Sequence, residues 1–395
     1  MLRAISAQWI GFSLSSSIPK EVEMQSLVIG GLTATAVATA AVQFGIRPQW
    51  RGSPTSHNQL IEGWANHPLI PGVILRIVRD DEIIFDGAAG STTLLPRHQV
   101  TPATSFHIAS IGKLFTAVAV MRLWESGILD IDAPVSEFLE PSLLSGQIVV
   151  DGFDYSQKIT ARQLLGHTAG FANTDSSFRF QAAVFLRPQQ KRTPEQLVDR
   201  AKQLRAIGKP DERQNYASPG YYLLGRLLES ITGLSYHQVV RREILSPLGL
   251  NSTWESNEEW RRQQGELHHY LGLVDLWRMN PSFEYADGGF VSTTQDLTRF
   301  GQAIMDGTVF RNQATLEAMC RIPSTRLRVS EDNYYGLGIQ VSIDYQGKRL
   351  LSHQGFWGTG LVMRPENQTV MAYAMGQANA VFDDFQKSAL YLTTP

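Results

Sequence analysis

The stretch SIGKLFTAVAVMRLWESG, residues 110–127, says more about the fold than any other part of this sequence. Apolar residues recur through it at helical spacing and cover nearly all of its circumference. Such a pattern predicts a helix that is buried on every side, at the centre of the molecule. The predicted helix opens at Ser110, carries Lys113 in its first turn, and has Gly127 well placed to end it.

Runs rich in β-branched residues lie on both sides of this helix. Residues 72–90 contain GVILRIVRD and EIIFDGAAG around a charged turn, which predicts a hairpin. Short strand-like runs at 335–341, 349–352, 360–363 and 369–375 are separated by turn residues. Strands at both ends with helices between them predict an α/β (α+β) fold, with an antiparallel sheet built from both ends of the chain and flanked by helices.

The region between the two sets of strands, about residues 106–284, is predicted to be mostly helical. Thr-Pro-Glu-Gln at 193–196 is a helix start, with Thr as N-cap, Pro in the first turn and Gln reaching back. Residues 219–232 and 235–245 are two further predicted helices. This inserted helical region should pack against the sheet.

The first 46 residues differ from the rest and are predicted to be a signal or membrane-anchor segment. Residues 24–46 carry no charge and are long enough to cross a bilayer, although Ala, Thr and Gly make insertion marginal. Residues 47–56 contain Pro and Gly and are predicted to be a linker, followed by one domain over 57–395. These features predict an exported protein, periplasmic or membrane-anchored outside the cytoplasm, with a cytoplasmic location as the alternative.

The composition excludes several classes of function. The chain has 395 residues, of which 35 are Lys or Arg and 37 are Asp or Glu, so its net charge of -2 argues against a nucleic-acid partner. The single cysteine, Cys320, is predicted to be structural and half-buried. The adjacent His268 and His269 point apart, so we predict no metal site and no cofactor.

Ser110 and Lys113 have a spacing that suits nucleophilic catalysis. Residues three apart on a helix share a face, so the amine can approach the hydroxyl. A desolvated lysine loses its charge more readily and can take or relay a proton, and a helix N-terminus favours developing negative charge. Alone the pattern is weak, because Ser17 and Lys20 have the same spacing in the N-terminal segment.

Four further motifs follow in a fixed order. They are Leu-Leu-Gly-His-Thr-Ala-Gly-Phe at 164–171, Tyr-Ala-Ser at 216–218, Gly-Gly-Phe-Val-Ser-Thr at 288–293 and His-Gln-Gly at 353–355. Together with Ser-Ile-Gly-Lys at 110–113, they resemble the serine beta-lactamase-like family of class C beta-lactamases, D-alanyl-D-alanine carboxypeptidases and related penicillin-recognising esterases. The resemblance covers essentially the whole body of the chain.

The resemblance implies roles for individual residues. Ser110 would attack a carbonyl and become acylated, while Lys113 and Tyr216 share the proton, with Tyr216 as a phenolate-like base kept ionisable by nearby cationic charge. The backbone N–H groups of Ser110 and Phe356 would form the oxyanion hole. Without Ser110, the favoured interpretation of Tyr216 is an ordinary aromatic anchor before a helix.

The resemblance also implies substrate contacts for Ser218, His353 and Gly355, and an architectural role for His167. Ser218 stands where the family usually has Asn, and its hydroxyl has one donor where an amide has two. His353 replaces the Lys of the lactamases, as in carboxypeptidase-like and esterase-like members. Both departures argue against efficient beta-lactam hydrolysis, although outside the family context His353 could be a satisfied strand histidine.

The predicted function is therefore a serine hydrolase that forms an acyl-enzyme on an amide or an ester. D-alanyl-D-alanine carboxypeptidase-like or esterase-like activity is expected, with a small molecule or a peptide as the partner. Two alternatives stay open: a non-catalytic protein of the same fold that binds cell-wall peptide, and a serine acyltransferase that excludes water.

Overall fold

The computed structural model describes residues 53–393, apart from 257–264, 325–326, 328–329, 331, 345 and 379–381. The predicted signal or anchor segment, and most of the predicted linker, lie outside these described residues. Within the described part, we find no helix that combines the length and the apolar character needed to cross a membrane. Ser56 caps the first described helix, which begins at His57.

The regular elements are numbered here in chain order. The strands are β1 (Gly72–Arg79), β2 (Glu82–Gly90), β3 (Phe106–His107), β4 (Val149–Val150), β5 (Phe153–Asp154), β6 (Trp254–Glu255), β7 (Tyr270–Leu271), β8 (Val274–Asp275), β9 (Phe290–Ser292), β10 (Asn333–Tyr335), β11 (Gln340–Ile343), β12 (Arg349–Gly355), β13 (Thr359–Arg364) and β14 (Thr369–Met375). The helices are α1 (His57–Ala65), α2 (Gly112–Glu125), α3 (Pro141–Leu144), α4 (Ala161–Leu165), α5 (Phe178–Leu186), α6 (Pro194–Ala201), α7 (Pro219–Thr232), α8 (Tyr236–Val240), α9 (Ser246–Leu248), α10 (Thr294–Met305), α11 (Gln313–Met319) and α12 (Phe382–Thr393).

The main sheet has the strand order β10-β11-β12-β13-β14-β1-β2, with every pair antiparallel. Its two chain ends meet where β1 pairs with β14, from Val73 opposite Met375 to Arg79 opposite Thr369. This junction confirms the prediction of one antiparallel sheet built from both ends. The predicted hairpin is also confirmed, since β1 and β2 pair directly.

Helices cover both faces of this sheet. All seven residues of β14 are buried. Val370 meets Gly301 of α10, where an added Cβ would lie 2.7 Å from the valine side chain. Tyr373 packs against Phe385 of α12, with ring centroids 5.2 Å apart. Because Val370 and Tyr373 are an odd number of residues apart, they point to opposite faces of the strand. Two covered faces explain why β14 is apolar throughout.

The central helix α2 is buried over 11 of its 14 residues, as predicted. Its Phe115 ring stacks on Phe300 of α10 at 4.0 Å and on Phe290 of β9 at 5.3 Å. This aromatic stack fixes the helix between the sheet-covering helix and the small sheet β3-β9-β6. The helix opens with a 3-10 turn over Ala109–Ile111, so the predicted start at Ser110 lies inside that turn.

Helices dominate the regular structure of the inserted region. The helix start predicted at 193–196 forms a capping box at α6, and the predicted helix 219–232 is α7. The run predicted over 235–245 begins as α8 and continues as a π-helical turn, Arg241–Leu245.

The single strand predicted over 335–341 is wrong. The structure has two strands there, β10 and β11, which pair with each other across a turn. Gly338 in this turn has φ +83, and an added Cβ would lie 2.0 Å from the Cβ of Ala117. The chain therefore turns back on itself where glycine allows close contact with α2.

Candidate active site

The candidate nucleophile, Ser110, lies in the 3-10 turn that precedes α2. Ala109 beside it has φ +47, a conformation that is strained for any residue with a Cβ. Neighbouring segments hold the turn in place. The Ile108 N–H donates to the Phe290 carbonyl at 3.0 Å, and the Thr359 hydroxyl donates to the Ile108 carbonyl at 3.0 Å. The turn is thus tied to β9 on one side and β13 on the other.

Glycines let two further segments reach this turn. An added Cβ on Gly288 would lie 2.9 Å from the Ala109 carbonyl carbon, and one on Gly112 would lie 2.9 Å from the Cα of Gly288. An added Cβ on Gly355 would lie 2.3 Å from the Ile108 carbonyl oxygen. Backbone therefore packs directly on backbone around the serine, which places the end of β12 beside it.

Lys113 is fully buried and contacts both the serine and a carboxylate. Its Nζ donates to Ser110 Oγ at 3.1 Å, to Asp287 Oδ2 at 3.1 Å and to the Asp287 carbonyl at 3.2 Å. Burial by itself would lower the pKa of Lys113, but Asp287, Tyr216 and Asp175 outweigh it and raise the pKa above its ordinary value. Lys113 is therefore an ammonium at neutral pH.

Asp287 is the buried counter-ion of this lysine. Burial raises the pKa of its carboxyl to about 6, against the lowering effect of the Lys113 ammonium. The carboxylate form is therefore the main form at neutral pH, and the two residues make an ion pair. Asp287 was not among the residues predicted from the sequence.

Tyr216 lies over the lysine and remains partly open to solvent, with 38% of its surface exposed. Its ring centroid is 4.9 Å from Lys113 Nζ. Burial of the hydroxyl raises the pKa of Tyr216, and the nearby Lys113 charge and the Ser110 and Lys113 side chains oppose that rise. Tyr216 is therefore a neutral phenol at neutral pH, which differs from the predicted phenolate-like base, and it lies beside the lysine.

His167 supports Tyr216 from behind. Its ring centroid lies 4.5 Å from that of Tyr216, and its Nδ1 accepts the Ala217 N–H at 3.2 Å. Burial and the nearby Lys113 charge lower the pKa of His167 well below its ordinary value. A neutral histidine that holds the backbone next to Tyr216 fits the predicted architectural role.

Ser218 is fully buried and contacts a carboxylate. Its hydroxyl donates to Asp175 Oδ2 at 2.6 Å. The single hydroxyl proton is therefore used by Asp175. The predicted contact between Ser218 and a substrate remains a prediction, since the partners seen here belong to the protein.

His353 lies on β12, is buried, and is neutral. Burial and the Lys113 charge lower its pKa to about 3. With Nδ1 2.9 Å from the Gln354 carbonyl, that nitrogen carries the proton, and Nε2 accepts from the Tyr335 hydroxyl at 2.8 Å. His353 therefore brings no positive charge to the position where the lactamases have lysine.

The second predicted oxyanion donor follows directly after this strand. Gly355 is the last residue of β12, and Phe356 comes next with 42% of its surface exposed. The close approach of Gly355 to Ile108 brings the Phe356 backbone to the side of the Ser110 turn. All predicted site residues therefore converge on one region between α2, α7 and β12.

Comparison with known proteins agrees with the fold. The beta-lactamase family matches residues 58–392. The chain belongs to that family. Its members are serine hydrolases with the fold described above, so the predicted family, fold and enzyme class are confirmed.

Three similar proteins show how varied the names of the relatives in this family are. Penicillin-binding protein 4* of Bacillus subtilis is 27% identical over 301 residues, 70% of this chain and 61% of that protein. A putative D-alanyl-D-alanine carboxypeptidase of Salmonella paratyphi A is 25% identical over 355 residues, 80% and 81% of the two chains. The structure of a D-stereospecific amidohydrolase from Streptomyces has a TM-score of 0.73 at 25% identity, covering 85% of this chain and 98% of that one.

The chain spans about three fifths of the length of the first two curated relatives, 61% in each case. Names within the family include penicillin-binding protein, carboxypeptidase and amidohydrolase, so family membership leaves the substrate open.

Three polar residues of this family member's site were missed from the sequence. Asp287 immediately precedes the Gly-Gly motif, Asp175 follows the His167 motif, and Tyr335 belongs to the stretch predicted as strand. Proximity to a motif is the one available signal. Asp287 is 174 residues from Lys113, and nothing local in the sequence pairs them.

Two other predictions concern metals and the cysteine. Within the described ranges, no group of three or more His, Cys, Asp or Glu residues could hold a metal ion. Cys320 is buried, and burial raises the pKa of its thiol to about 11, so it is not a thiolate nucleophile.

Proposed function

We propose that this protein hydrolyses amide or ester bonds through an acyl-enzyme on Ser110. The main support is the hydrogen-bonded series from Ser110 Oγ through Lys113 Nζ to Asp287 Oδ2, with both distances 3.1 Å. The Lys113 ammonium donates to both oxygens, so it can relay a proton from the Ser110 hydroxyl to the Asp287 carboxylate, which is the acceptor. Tyr216 completes the group from the open side.

The charge states suggest the order of proton transfers. Lys113 is an ammonium at rest, so it accepts the Ser110 proton only as it passes one of its own to Asp287. The Asp287 carboxylate, with a pKa of about 6, is ionised at neutral pH and can take that proton. The Ser110 oxygen then bonds to the substrate carbonyl carbon, and the carbonyl π electrons move onto its oxygen.

The resulting oxyanion would be stabilised by the N–H groups of Ser110 and Phe356, each worth about 3–4 kcal/mol in the transition state. The oxyanion electrons then re-form the carbonyl double bond, and the bond between the carbonyl carbon and the leaving group breaks. Tyr216, a neutral phenol, donates its proton to the departing group and recovers one from Lys113. Lys113 regains its own from Asp287. Water then attacks the acyl-enzyme by the same path and releases Ser110.

The charges around the nucleophile favour substrates without a carboxylate. Lys113 is +1, whereas Asp287 and Asp175 are each −1, and His353 is neutral, so this group sums to −1. A substrate that ends in a free carboxylate would meet net negative charge. A neutral ester would not be repelled by this charge, and an amino-acid amide with a free ammonium would be attracted by it.

We therefore place D-amino-acid amides and short D-peptides that lack a terminal carboxylate first among the substrates. Small esters come second and beta-lactams third. The similarity to a D-stereospecific amidohydrolase supports this order. The predicted D-alanyl-D-alanine carboxypeptidase activity falls behind it, because such a peptide presents a carboxylate. Export from the cytoplasm stays part of the proposal.

The test uses the purified full chain and the Ser110→Ala variant. Both are treated with a fluorophosphonate and with penicillin, and the labelled peptide is identified by mass spectrometry. We expect an adduct on Ser110 in the wild type and none in the variant, whose melting temperature should be unchanged. Wild-type protein without an adduct from either probe would overturn the proposal and favour a binding protein.

Substrate class is tested by kcat/KM for D-phenylalanine amide, its N-acetyl derivative, its L enantiomer, p-nitrophenyl acetate and a D-alanyl-D-alanine peptide. The free D-amide should be the best substrate and the D-alanyl-D-alanine peptide a poor one. A preference for the carboxylate-bearing peptide would contradict the charge argument. Transfer to an added amine in place of hydrolysis would indicate an acyltransferase.

A further inference from the structure

A buried hydrogen bond anchors the loop that follows β12. The Trp357 indole N–H donates to Glu284 Oε1 at 2.7 Å, and the two residues are only 6% and 7% exposed. Trp357 is the residue after Phe356, whose backbone is the proposed second oxyanion donor. Its side chain is therefore fixed at one point of the loop that carries this donor.

The backbone of the same residue is held from a second element. His269 Nδ1 lies 2.6 Å from the Trp357 carbonyl oxygen. Burial lowers the pKa of His269 to about 3, so the ring is neutral and its Nδ1–H donates to that carbonyl. Trp357 is thus held through its side chain and its main chain, by partners from two different segments.

Glu284 also begins the segment that holds the lysine. Asp287, three residues later, pairs with Lys113, and the Thr116 hydroxyl of α2 donates to the Ala286 carbonyl at 2.5 Å. Gly288 packs on the turn of the nucleophile. Residues 284–288, which we call the brace, therefore contact α2 and the Ser110 turn on one side and Trp357 on the other.

We infer that Glu284 and His269 are positioning residues, which fix the Phe356 N–H of the oxyanion hole by holding Trp357. The inference rests on the proposed function and deepens it. A loop whose exposed residue carries a catalytic N–H needs support from buried neighbours, since small displacements weaken a donor aimed at the oxyanion. The bond from Glu284 to Trp357 supplies that support in a rigid, buried form.

The test compares Glu284→Gln with Glu284→Leu. Burial and the nearby Asp287 raise the pKa of Glu284 well above its ordinary value, which favours the neutral carboxyl that glutamine resembles in shape and charge. Glutamine keeps an acceptor oxygen for the indole, whereas leucine removes it. Glu266→Leu is the matched control, because Glu266 is also buried and accepts an indole N–H, that of Trp277, at 3.1 Å.

We expect Glu284→Leu to lower kcat roughly 10- to 100-fold with little change in KM, part of the loss expected from a missing oxyanion donor. Affinity for a boronic acid, which forms a tetrahedral adduct on Ser110, should fall in parallel. The kcat of Glu284→Gln should be within about threefold of the wild-type value, and so should the kcat of Glu266→Leu. His269→Ala should resemble Glu284→Leu.

Melting temperatures separate positioning from a general loss of structure. If Glu284→Leu and Glu266→Leu lose kcat equally, or if Glu284→Leu lowers only the melting temperature, the inference is overturned. Failure of the proposed function is seen separately, as wild-type protein that gives no fluorophosphonate adduct on Ser110. A normal adduct with unchanged kcat in Glu284→Leu would overturn this inference alone.

Discussion

The variant Asp287→Asn tests the ion pair on which the proposed proton path depends. It keeps the shape of the side chain and an acceptor oxygen but removes the charge opposite Lys113. The two side chains are 8% and 0% exposed and 3.1 Å apart, so water cannot replace the lost carboxylate. Removing one partner of a buried ion pair lowers the free energy of unfolding by about 3–5 kcal/mol. Because asparagine keeps an acceptor oxygen, we expect a loss of about 3 kcal/mol at pH 7.

The pH dependence of that loss gives a sharper signature. In the wild type, the raised pKa of Lys113 adds stability that is present at neutral pH and disappears only above its ordinary titration range. In the variant, burial is no longer opposed by Asp287, and we predict that it outweighs Tyr216 and Asp175 and lowers the pKa of Lys113 below its ordinary value. The unfolded chain then binds more protons, so the variant should gain stability as pH rises from 7 towards 10.

Asp287 itself contributes a slope of the opposite sign in the wild type. Its pKa is raised to about 6 in the fold, so its contribution to stability is present at low pH and is lost as pH rises from about 4 to about 6. This slope should be absent in Asp287→Asn. The wild-type rate should also show an acidic limb near pH 6, because protonated Asp287 cannot accept a proton from Lys113, and that limb should be missing from the residual activity of the variant.

Urea unfolding at pH 5, 7 and 9 measures the stabilities, and kcat/KM from pH 4 to 9 measures the limb. Ser110→Ala is the control for stability, since it leaves the ion pair intact. If Asp287→Asn is as stable as the wild type at pH 7, or keeps an acidic limb near pH 6, the assignment of Asp287 as counter-ion and proton acceptor is wrong.

Three further variants test neighbouring parts of the site. Tyr216→Phe keeps the ring but loses the proton donor, so kcat/KM should fall roughly 10²–10⁴-fold at an unchanged melting temperature; near-full activity would exclude the tyrosine as an acid or base. Gly355→Ala places a Cβ 2.3 Å from the Ile108 carbonyl oxygen and 2.2 Å from Thr359 Oγ1, and such overpacking should cost about 1–3 kcal/mol of unfolding free energy and displace the oxyanion loop. If circular dichroism, urea unfolding and kcat are all unchanged in this variant, Gly355 does not pack closely against Ile108 and Thr359. Asp175→Asn should lower the kcat/KM ratio of D-phenylalanine amide to its N-acetyl derivative, and an unchanged ratio would remove Asp175 from substrate selection.

The sheet could be predicted from the sequence because its signals are local. Two β-branched runs around a charged turn predict the hairpin over 72–90. The strand predicted over 369–375 has the same bounds in the structure. The stretch 335–341 was misread as one strand because its turn depends on close contact between Gly338 and Ala117 of α2. That contact is tertiary, and an apolar run with glycines does not reveal it.

The same distinction applies to the site. Ser110 and Lys113 share a helix face, so their contact follows from spacing alone. Tyr216 and His353 could be named because they lie in motifs of a known family. Asp287 could not, since an aspartate becomes the partner of Lys113 only when the fold brings residue 287 against the first turn of α2.

The two departures from the family pattern have one physical explanation. Where the family usually has an amide beside the lysine, Ser218 has a single hydroxyl proton, and that proton goes to Asp175. The acceptor that Lys113 needs is supplied by Asp287 from another segment. The lysine charge is thereby neutralised within the protein.

His353 adds no charge in compensation, because burial keeps it neutral. In this group of residues the only cation, the Lys113 ammonium, is already paired with Asp287. The proposed preference for substrates without a carboxylate follows from this pairing and from the neutral His353. We therefore expect that His353→Lys alone gives no efficient penicillin turnover while Asp175 and Asp287 remain, and efficient turnover by that variant would contradict the charge argument.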